Sequence, residues 1–220
     1  MRTNYEAHDI PYRRKKAAGW PGWNSAEEVH DCIQTLNGLL EPLEVASTAD
    51  VCEIGCGAGN LTDTLADRGW SVTGVDVSNV AIHWARERCR QQNVTFLRGN
   101  ICERELFAAA SFDLIIDGLC LHCIIGEDRD RVISNLSYWL KPGGRIVVFT
   151  MCGEPKGKDR AGYDPKSRCA YSGDIAVRYF AEAEEIIDDF RKESLPCTFQ
   201  QVVDPPNEQA SLRALFEKPR

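Results

Sequence analysis

The sequence lacks an apolar run long enough to predict a membrane helix. Its apolar stretches, such as residues 118–126, fall far short of the ~18 residues that a membrane span requires. Residues 1–10 are polar and contain no apolar core of a secretory signal peptide. We therefore expect a cytoplasmic protein that has no membrane partner.

An excess of basic residues is also missing. The 33 acidic residues outnumber the 26 basic ones and give a formal net charge of -7. Binding to a nucleic-acid backbone normally needs clustered lysine and arginine. The basic run at residues 13–16 is typical of a solvated helix face. Nucleic acid is therefore not an expected partner.

The ten cysteines lack a paired metal-binding pattern. Cys120 and Cys123 make one C-x-x-C motif around His122, whereas a structural zinc site usually has a second such pair. Ten cysteines in 220 residues also stay below the ~8–10% density of disulfide scaffolds. We predict no metal site and interpret cysteines such as Cys52 and Cys89 as small buried side chains.

The sequence does contain a regular alternation of short β-rich runs with helical patterns. This alternation predicts a doubly wound α/β fold around a parallel sheet. The predicted elements are strands 51–54, 72–75, 94–98, 112–116 and 145–150 and helices 60–68, 81–92 and 129–140. We predict a further helix over 175–190, and then an antiparallel hairpin of 197–203 and 212–217 around the turn residues 204–207.

Two regions lie outside this alternation. Residues 1–43 predict one or two helices, with the aromatic cluster 19–23 between them. Residues 152–173 are too many for an ordinary connection between a strand and a helix. They indicate either a lid or binding loop, or only a mobile surface loop.

The stretch VCEIGCGAGNL, residues 51–61, places three glycines in the turn after the first strand. In a doubly wound sheet, ligands bind beyond the carboxyl ends of the strands, and glycine permits their close approach. The dinucleotide fingerprint G-x-G-x-x-G would need a glycine at position 60, where this chain has asparagine. The glycine loop alone therefore leaves the ligand open.

Two acids near this loop specify the ligand further. Glu53 ends the first strand, where a carboxylate would repel a pyrophosphate but attract an ammonium or sulfonium group. Asp76 ends the second strand, about 20 residues further on, where an acid can accept both hydroxyls of a ribose. This pair predicts a positively charged nucleoside without phosphates. S-adenosyl-L-methionine fits that description.

Four motifs in order resemble the successive motifs of class I S-adenosylmethionine-dependent methyltransferases. They are VCEIGCGAGNL, GVDVS, FDLIIDGLCLH and LKPGGRIVVFT, and they run from about residue 50 to residue 151. The resemblance implies a Rossmann-like seven-stranded sheet whose last strand is antiparallel. We expect residues 46–220 to form the methyltransferase domain and residues 1–45 to form an N-terminal helical lid.

The resemblance also implies roles by position. Glu53 would face the methionine end of the cofactor, Asp76 would hold the ribose, and Val77 would flank the adenine. Asn100 stands where such families commonly place an acid for the adenine amino group. Asp117 would point toward the cofactor's amino group or the substrate. The cofactor-binding residues implied in this way are Glu53, Gly55, Cys56, Gly57, Gly59, Asp76, Val77, Asn100, Ile101 and Asp117.

The sulfonium group of such a cofactor already activates the methyl group, so the protein has to align an acceptor and exclude water. Where a base is needed, His122 is the best-placed group, although it could serve only in packing or hydrogen bonding. Tyr12, Trp20 and Trp23 could form an apolar acceptor wall, or they could only anchor the N-terminal helices. Residues 152–171 are expected to share in substrate choice.

The leading prediction is transfer of a methyl group to a small-molecule acceptor by in-line displacement, because the chain is acidic and has no large substrate domain. One alternative is a thiol or metalloid acceptor that the cysteines present, as methyltransferases of arsenic are understood to do. A nicotinamide-dependent oxidoreductase and a non-catalytic cofactor-binding module are two further alternatives. No oligomeric state follows from the sequence.

Overall fold

The computed structural model describes residues 3–220, so Met1 and Arg2 of the predicted N-terminal segment lie outside the described residues. The strands are β1 (Asp50–Ile54), β2 (Ser71–Asp76), β3 (Val94–Arg98), β4 (Phe112–Gly118), β5 (Leu140–Met151), β6 (Tyr163–Asp164), β7 (Cys169–Ser172), β8 (Ile175–Tyr179), β9 (Cys197–Val203) and β10 (Ser211–Glu217). The α-helices are α1 (Asp9–Ala17), α2 (Ala26–Leu40), α3 (Asn60–Ala66), α4 (Asn79–Arg88), α5 (Glu127–Trp139) and α6 (Ala183–Lys192). In the described part of the chain, no helix is long and apolar enough to span a bilayer.

Seven strands form the central sheet in the order β3-β2-β1-β4-β5-β10-β9. The strands β1 to β5 pair in parallel, and β10 runs antiparallel to both β5 and β9. The prediction of a Rossmann-like seven-stranded sheet with an antiparallel last strand is therefore confirmed. The chain reverses its direction across the sheet between β1 and β4, which is where such sheets leave a ligand crevice.

The strand β1 is buried on both faces, which explains its mostly apolar sequence. Cys52 packs in one cluster with Trp139 of α5, on one face of the sheet. Val51 packs in another cluster with Leu65 of α3, on the opposite face. Because side chains alternate along a strand, Glu53 lies on the face of Val51 and is directed toward α3.

The predicted helix over 175–190 is wrong in its first half. Ile175, Val177 and Tyr179 are β-branched or aromatic and recur with a period of two residues, which favours a strand. They form β8, and the helix begins only at Ala183.

The predicted long loop over 152–173 also contains regular structure. It includes β6 and β7, which pair with β8 in a separate antiparallel sheet of order β6-β7-β8. We call this unit the small sheet. Its strand β8 packs against the 3-10 turn Leu121–Cys123 that follows β4. The small sheet therefore stands at the carboxyl end of β4.

The N-terminal segment forms two helices, and the predicted aromatic cluster lies between them. Ser25 begins α2 with a capping box, in which its hydroxyl accepts from the backbone N–H of Glu28 and the Glu28 carboxylate accepts from the N–H of Ser25. The first helix packs on α4, where the Asp9 carboxylate accepts from the Ser78 hydroxyl at 2.5 Å and from the Val80 N–H at 3.3 Å.

The same segment also reaches the small sheet. Thr3 makes a parallel bridge to Ala176 of β8, and the Tyr5 hydroxyl donates to the Asp128 carboxylate at 2.9 Å. The segment therefore crosses the carboxyl ends of the strands from α4 to the small sheet. The division into a lid over 1–45 and a domain over 46–220 stays a prediction.

Candidate active site

A cavity of about 710 Å³ lies at the carboxyl ends of β1 to β4. Its volume falls within the ~300–1,000 Å³ of small-molecule sites. The strand ends and their loops line one side, and the N-terminal segment and β8 line the other. We call the part around Asp76 and Asn100 the β2–β3 end, and the part around His122, Cys123 and Arg178 the β4 end.

The glycine loop after β1 lets other parts of the chain approach closely. Gly55 and Gly57 have φ angles of +64° and +54°, which side chains rarely adopt. A Cβ at Gly55 would lie 2.5 Å from the Cβ of Cys120, and a Cβ at Gly57 would lie 2.6 Å from the Tyr12 hydroxyl oxygen. Larger residues at either position would therefore displace the cavity wall.

Glu53 lines the cavity although only 2% of it is exposed. Its carboxylate accepts a hydrogen bond from the Thr62 hydroxyl of α3. The pKa of Glu53 is raised to about 8, mainly by burial and also by the charge of Asp76, whereas the hydrogen bond from Thr62 opposes this shift. A cation bound beside Glu53 would favour the charged carboxylate and lower this pKa.

Asp76 links the glycine loop to the end of β2. Its carboxylate accepts from the Gly57 N–H at 2.9 Å and from the Ser78 N–H at 2.8 Å. Burial raises the pKa of Asp76, and these two hydrogen bonds oppose that rise. A carboxylate has about four lone-pair sites, so Asp76 retains capacity to accept from ligand hydroxyls.

Three neighbouring residues complete the β2–β3 end. Val77 and Ile101 line the cavity with apolar side chains, and Asn100 lines it with its amide. The Asn100 side-chain oxygen accepts from the Cys102 N–H at 3.0 Å. This bond uses the oxygen of the Asn100 amide and leaves its NH₂ group as the available donor.

Three of the predicted site residues do not line the cavity: Gly59, Asp117 and Trp20. A Cβ at Gly59 would lie 2.8 Å from the Phe96 ring, so this glycine serves the packing of α3. Trp20 is 39% exposed and carries the Lys15 ammonium 3.6 Å from its ring centre.

The Asp117 carboxylate is directed to backbone groups. One oxygen accepts from the Cys120 N–H at 2.8 Å and from the Leu121 N–H at 2.9 Å, and thereby orders the turn after β4. The other oxygen is buried and has no hydrogen-bond partner among residues 3–220. Burial raises the pKa of Asp117 to about 7, while the two backbone bonds and Arg129 lower it. Asp117 therefore positions the β4 end without lining it.

The cavity fits a cationic nucleoside better than a phosphate-bearing one. The Gly57 N–H already donates to Asp76, so it is not free to hold a phosphate. Among the described residues that line the cavity, the cationic side chains are Arg14, Arg178 and the ionisable His8, and they belong to the N-terminal segment and β8. The glycine loop thus has carboxylates beside it and no cation of its own.

Residues 51–144 match the family model described as a methyltransferase domain. This match, together with the curated relatives and the solved structure described below, supports a class I S-adenosylmethionine-dependent methyltransferase. This match covers the glycine loop, Asp76, Asn100 and His122, and it ends within β5. The N-terminal segment and the small sheet lie outside it.

Two curated relatives are similar to about half of this chain. A demethylmenaquinone methyltransferase of Tropheryma whipplei is 35% identical over 108 residues, which are 48% of this chain and 43% of that protein. An uncharacterized methyltransferase of Mycobacterium tuberculosis is 32% identical over 114 residues, which are 52% of this chain and 56% of that protein. The chain spans about half the length of these relatives.

A solved structure shares the fold over nearly the whole chain. It is the 1,6-didemethyltoxoflavin-N1-methyltransferase of Burkholderia thailandensis, with bound 1,6-didemethyltoxoflavin and S-adenosylhomocysteine. The TM-score is 0.69 at 21% identity, with 97% of this chain and 89% of that chain covered. Together with the family match, these findings support S-adenosylmethionine as the cofactor of the methyltransferase domain.

The β4 end of the methyltransferase domain carries His122, which is 5% exposed. Its Nδ1 lies 3.4 Å from the Thr150 hydroxyl. The pKa of His122 is lowered to about 3, mainly by burial and also by the charges of Arg178, His8 and Arg129. The ring is therefore uncharged at neutral pH and is a weak base.

The cysteines that line this methyltransferase cavity are protonated thiols. Burial raises the pKa of Cys123 to about 12 and the pKa values of Cys56 and Cys120 well above the ordinary range. No group of three or more metal-ligating side chains occurs within residues 3–220. A thiolate that presents a soft acceptor is thus disfavoured.

Two of the three aromatic residues that were predicted to form an acceptor wall line the cavity. Tyr12 and Trp23 line the cavity, with ring centroids 5.0 Å apart and planes at 64°. Trp23 also packs on His8, with centroids 5.6 Å apart. Tyr12 is 6% exposed, and its hydroxyl reaches the glycine loop.

Sequence reasoning assigned residues 152–171 to substrate choice but missed the part of the small sheet that lines the cavity. The missed lining residues in this unit are Ser172, Ile175, Val177 and Arg178. Residues 175–179 had been interpreted as helix, so their alternation was not used to place side chains. The period-two spacing of Ile175 and Val177 was the signal that could have found this wall.

Proposed function

We propose that the protein transfers the methyl group of S-adenosylmethionine to a small-molecule acceptor. The observation that supports this most is the pairing of Glu53 and Asp76 beside a glycine loop whose Gly57 N–H is already used. Such a site favours a cationic nucleoside over a pyrophosphate. When bound, S-adenosylmethionine supplies a methyl group that its sulfonium charge activates for in-line displacement.

In this proposal, the residues at the β2–β3 end bind the nucleoside. Asp76 accepts hydrogen bonds from the ribose hydroxyls, and Val77 and Ile101 pack on the adenine. Asn100 donates to an adenine ring nitrogen through its NH₂ group, since its oxygen is already bonded to Cys102. Glu53 binds the ammonium of the methionine part. Gly55, Cys56 and Gly57 pass beneath the cofactor.

The β4 end would hold the acceptor. Tyr12 and Trp23 form its apolar wall and exclude water. Uncharged His122 accepts a hydrogen bond from the acceptor and orients it, and its low pKa makes it a poor proton carrier at neutral pH. The acceptor therefore has to bring a nucleophile that reacts as a neutral lone pair or ionises readily.

The proposed acceptor is a small molecule, and the proposed location of the reaction is the cytoplasm. The demethylmenaquinone and didemethyltoxoflavin methyltransferases are named for small-molecule substrates. The cavity of about 710 Å³ has to hold both the cofactor and the acceptor, which limits the acceptor's size. The net charge of -7 opposes a nucleic-acid substrate.

Cofactor binding and transfer test this proposal in two steps. Calorimetry should detect binding of S-adenosylmethionine and S-adenosylhomocysteine and no comparable binding of NADH. Methyl-labelled cofactor incubated with a panel of small acceptors should then transfer its label. Binding of NADH in place of the adenosyl compounds would contradict the proposal, and binding without transfer to any acceptor would support the non-catalytic alternative.

A further inference from the structure

The small sheet places one arginine in the wall of the cavity, at its β4 end. Arg178 of β8 lines the cavity, while its side chain is only 25% exposed. The strand β8 packs on the turn that carries His122 and Cys123, so Arg178 stands on the β4 side of the glycine loop. Asp76 and Asn100 lie beyond the opposite side of β1, because the strand order is β3-β2-β1-β4.

A buried carboxylate, that of Asp159, forms a salt bridge with this arginine. The Arg178 guanidinium donates through one Nη group to Asp159, which is 7% exposed and does not line the cavity. Arg178 therefore brings a positive charge to the cavity wall, whereas its partner carboxylate is not part of that wall. The guanidinium has five N–H donors, and among the contacts described for residues 3–220 the Asp159 bond uses one of them.

The surroundings give this charge a defined ligand chemistry. The acidic side chains that line the cavity are Glu53 and Asp76, and they belong to the ends of β1 and β2. Around Arg178, the β4 end is lined by apolar Ile175 and Val177 and by uncharged polar groups, which are those of Ser172, His122 and Cys123. The cation also acts on this space, because it lowers the pKa values of both His122 and Cys123.

We propose that Arg178 is a specificity residue that binds an anionic oxygen of the methyl acceptor, so that the acceptor is a small, largely apolar molecule with one carboxylate or acidic phenol group. A guanidinium fork matches the geometry of a carboxylate, and an apolar wall strengthens the charge interaction. This inference rests on the proposed methyltransferase function. It assigns the acceptor's charge, whereas the cofactor's cation belongs to Glu53.

The test compares charged and uncharged ligands. Wild-type protein saturated with S-adenosylhomocysteine is titrated by calorimetry with about twenty small aromatic and aliphatic carboxylates and acidic phenols. Each compound is paired with its amide or methyl ether. Anionic members should bind at least about 10-fold more tightly than their neutral partners, as expected for a charged hydrogen bond. The carboxylate and phenol arms show which oxygen group is preferred.

Variants connect this preference to the residue. Arg178→Met should reduce the ratio between anionic and neutral ligands to about 1 and leave S-adenosylhomocysteine affinity unchanged. Arg160→Met, at an exposed arginine of the same connection that does not line the cavity, should keep the wild-type ratio. The double variant Arg178→Met/Asp159→Asn leaves no buried carboxylate unpaired, and it should also lose the ratio while thermal unfolding reports an intact fold.

Three results would overturn the assignment. They are a wild-type ratio near 1, no binding by any anionic member at millimolar concentration, and a loss of S-adenosylhomocysteine affinity in Arg178→Met that matches its loss of acceptor affinity. The third result would assign the guanidinium to the cofactor's carboxylate. Failure of the wild type to bind S-adenosylhomocysteine would instead contradict the proposed function itself.

Discussion

The two ends of the cavity are built from different kinds of structure. At the β2–β3 end, the ligand-facing groups follow regular strands and are tied to the backbone, as Asp76 is to Gly57 and Ser78. At the β4 end, they come from a 3-10 turn, the N-terminal segment and the small sheet. The sheet therefore fixes one end, and segments added to the sheet shape the other. Changes at one end should leave the other largely unaffected.

The charges of the two ends differ in the same way. The acidic groups Glu53 and Asp76 line the cavity near β1 and β2, and a bound cation favours the charged form of Glu53, whereas the β4 end has Arg178, an uncharged histidine and protonated thiols. We therefore expect variants near β1 and β2 to change cofactor affinity and variants at the β4 end to change acceptor handling.

The largest effect is expected for Asp76→Ala. The variant loses the proposed ribose acceptor and also releases the Gly57 and Ser78 N–H groups, so S-adenosylhomocysteine affinity should fall about 10- to 100-fold. Calorimetry measures the affinity. Asp31→Ala, which removes an exposed carboxylate of α2, is the matched control and should bind normally. Unchanged affinity in Asp76→Ala would remove the ribose assignment.

Gly57→Ala should have the next largest effect, because the added Cβ meets the Tyr12 hydroxyl and the φ angle is +54°. We expect about a 10-fold loss of cofactor affinity and a loss of about 1–2 kcal/mol in the free energy of unfolding. Gly38→Ala is the control, since a Cβ there meets no atom within 4 Å.

Adding Tyr12→Phe to Gly57→Ala removes the contacting oxygen and should recover part of the lost stability. The stability of this double variant reports on the contact between the glycine loop and the N-terminal segment, because Tyr12 belongs to that segment. Independent, additive effects of the two substitutions on chemical denaturation would show that the contact is unimportant.

Glu53→Gln should weaken cofactor binding several-fold and change its pH dependence. The pKa of Glu53 is about 8 in the folded protein and bound cation lowers it, so wild-type affinity should increase as the pH rises from 6 to 8. The glutamine variant should lack this increase. Proton release measured by calorimetry in two buffers of different ionisation enthalpy distinguishes the two proteins.

The same group should influence folding stability. Its pKa is raised from the ordinary value of 4.5 to about 8, so its contribution is fully present below pH 4.5 and is lost as the pH rises toward 8. The loss is roughly 1.4 kcal/mol per pH unit within that window. Glu53→Gln should therefore gain stability relative to the wild type between pH 5 and 8. A parallel pH profile for both proteins would contradict the buried, raised pKa.

His122→Gln should have the smallest effect on catalysis. Because the pKa of His122 is about 3, it does not titrate near neutrality, and we expect less than about a 10-fold decrease in kcat with unchanged cofactor affinity. The pH profile of kcat should keep its shape between pH 6 and 8. A lost inflection near pH 6.5, together with a much larger decrease, would identify His122 as the general base instead.

The parallel sheet and its carboxylates could be predicted because each signal is local. Short β-rich runs alternate with helical spacing, and Glu53 and Asp76 stand at the ends of strands whose positions the sequence pattern marks clearly. The structure places both residues in the cavity. Their roles toward the cofactor remain predictions that the variants above test.

Asp117 illustrates a limit that is set by pairing between strands. It pairs with Ile54 in the sheet, whereas Glu53 pairs with Ile116, so Asp117 faces the opposite side of the sheet from Glu53. That register depends on contacts between residues more than 60 positions apart, which no local pattern specifies. A sequence predicts where a strand ends more reliably than it predicts which face of the sheet the last side chain of that strand occupies.

The small sheet shows a second limit. Its strands are 2, 4 and 5 residues long, and short apolar runs of this kind do not distinguish a strand from a buried helical turn. Pairing among β6, β7 and β8 decides the conformation. The part of the cavity wall that contains Arg178 therefore could not be predicted without the pairing of these three strands.

The N-terminal segment makes polar contacts on two sides of the cavity. Asp9 holds it to α4, and Thr3 joins it to Ala176 of β8. We expect release of the spent cofactor to require that at least one of these contacts opens, so product release should be slower than methyl transfer. A rapid first turnover followed by a slower steady rate would then be the kinetic signature of an N-terminal segment that is held at both of these contacts.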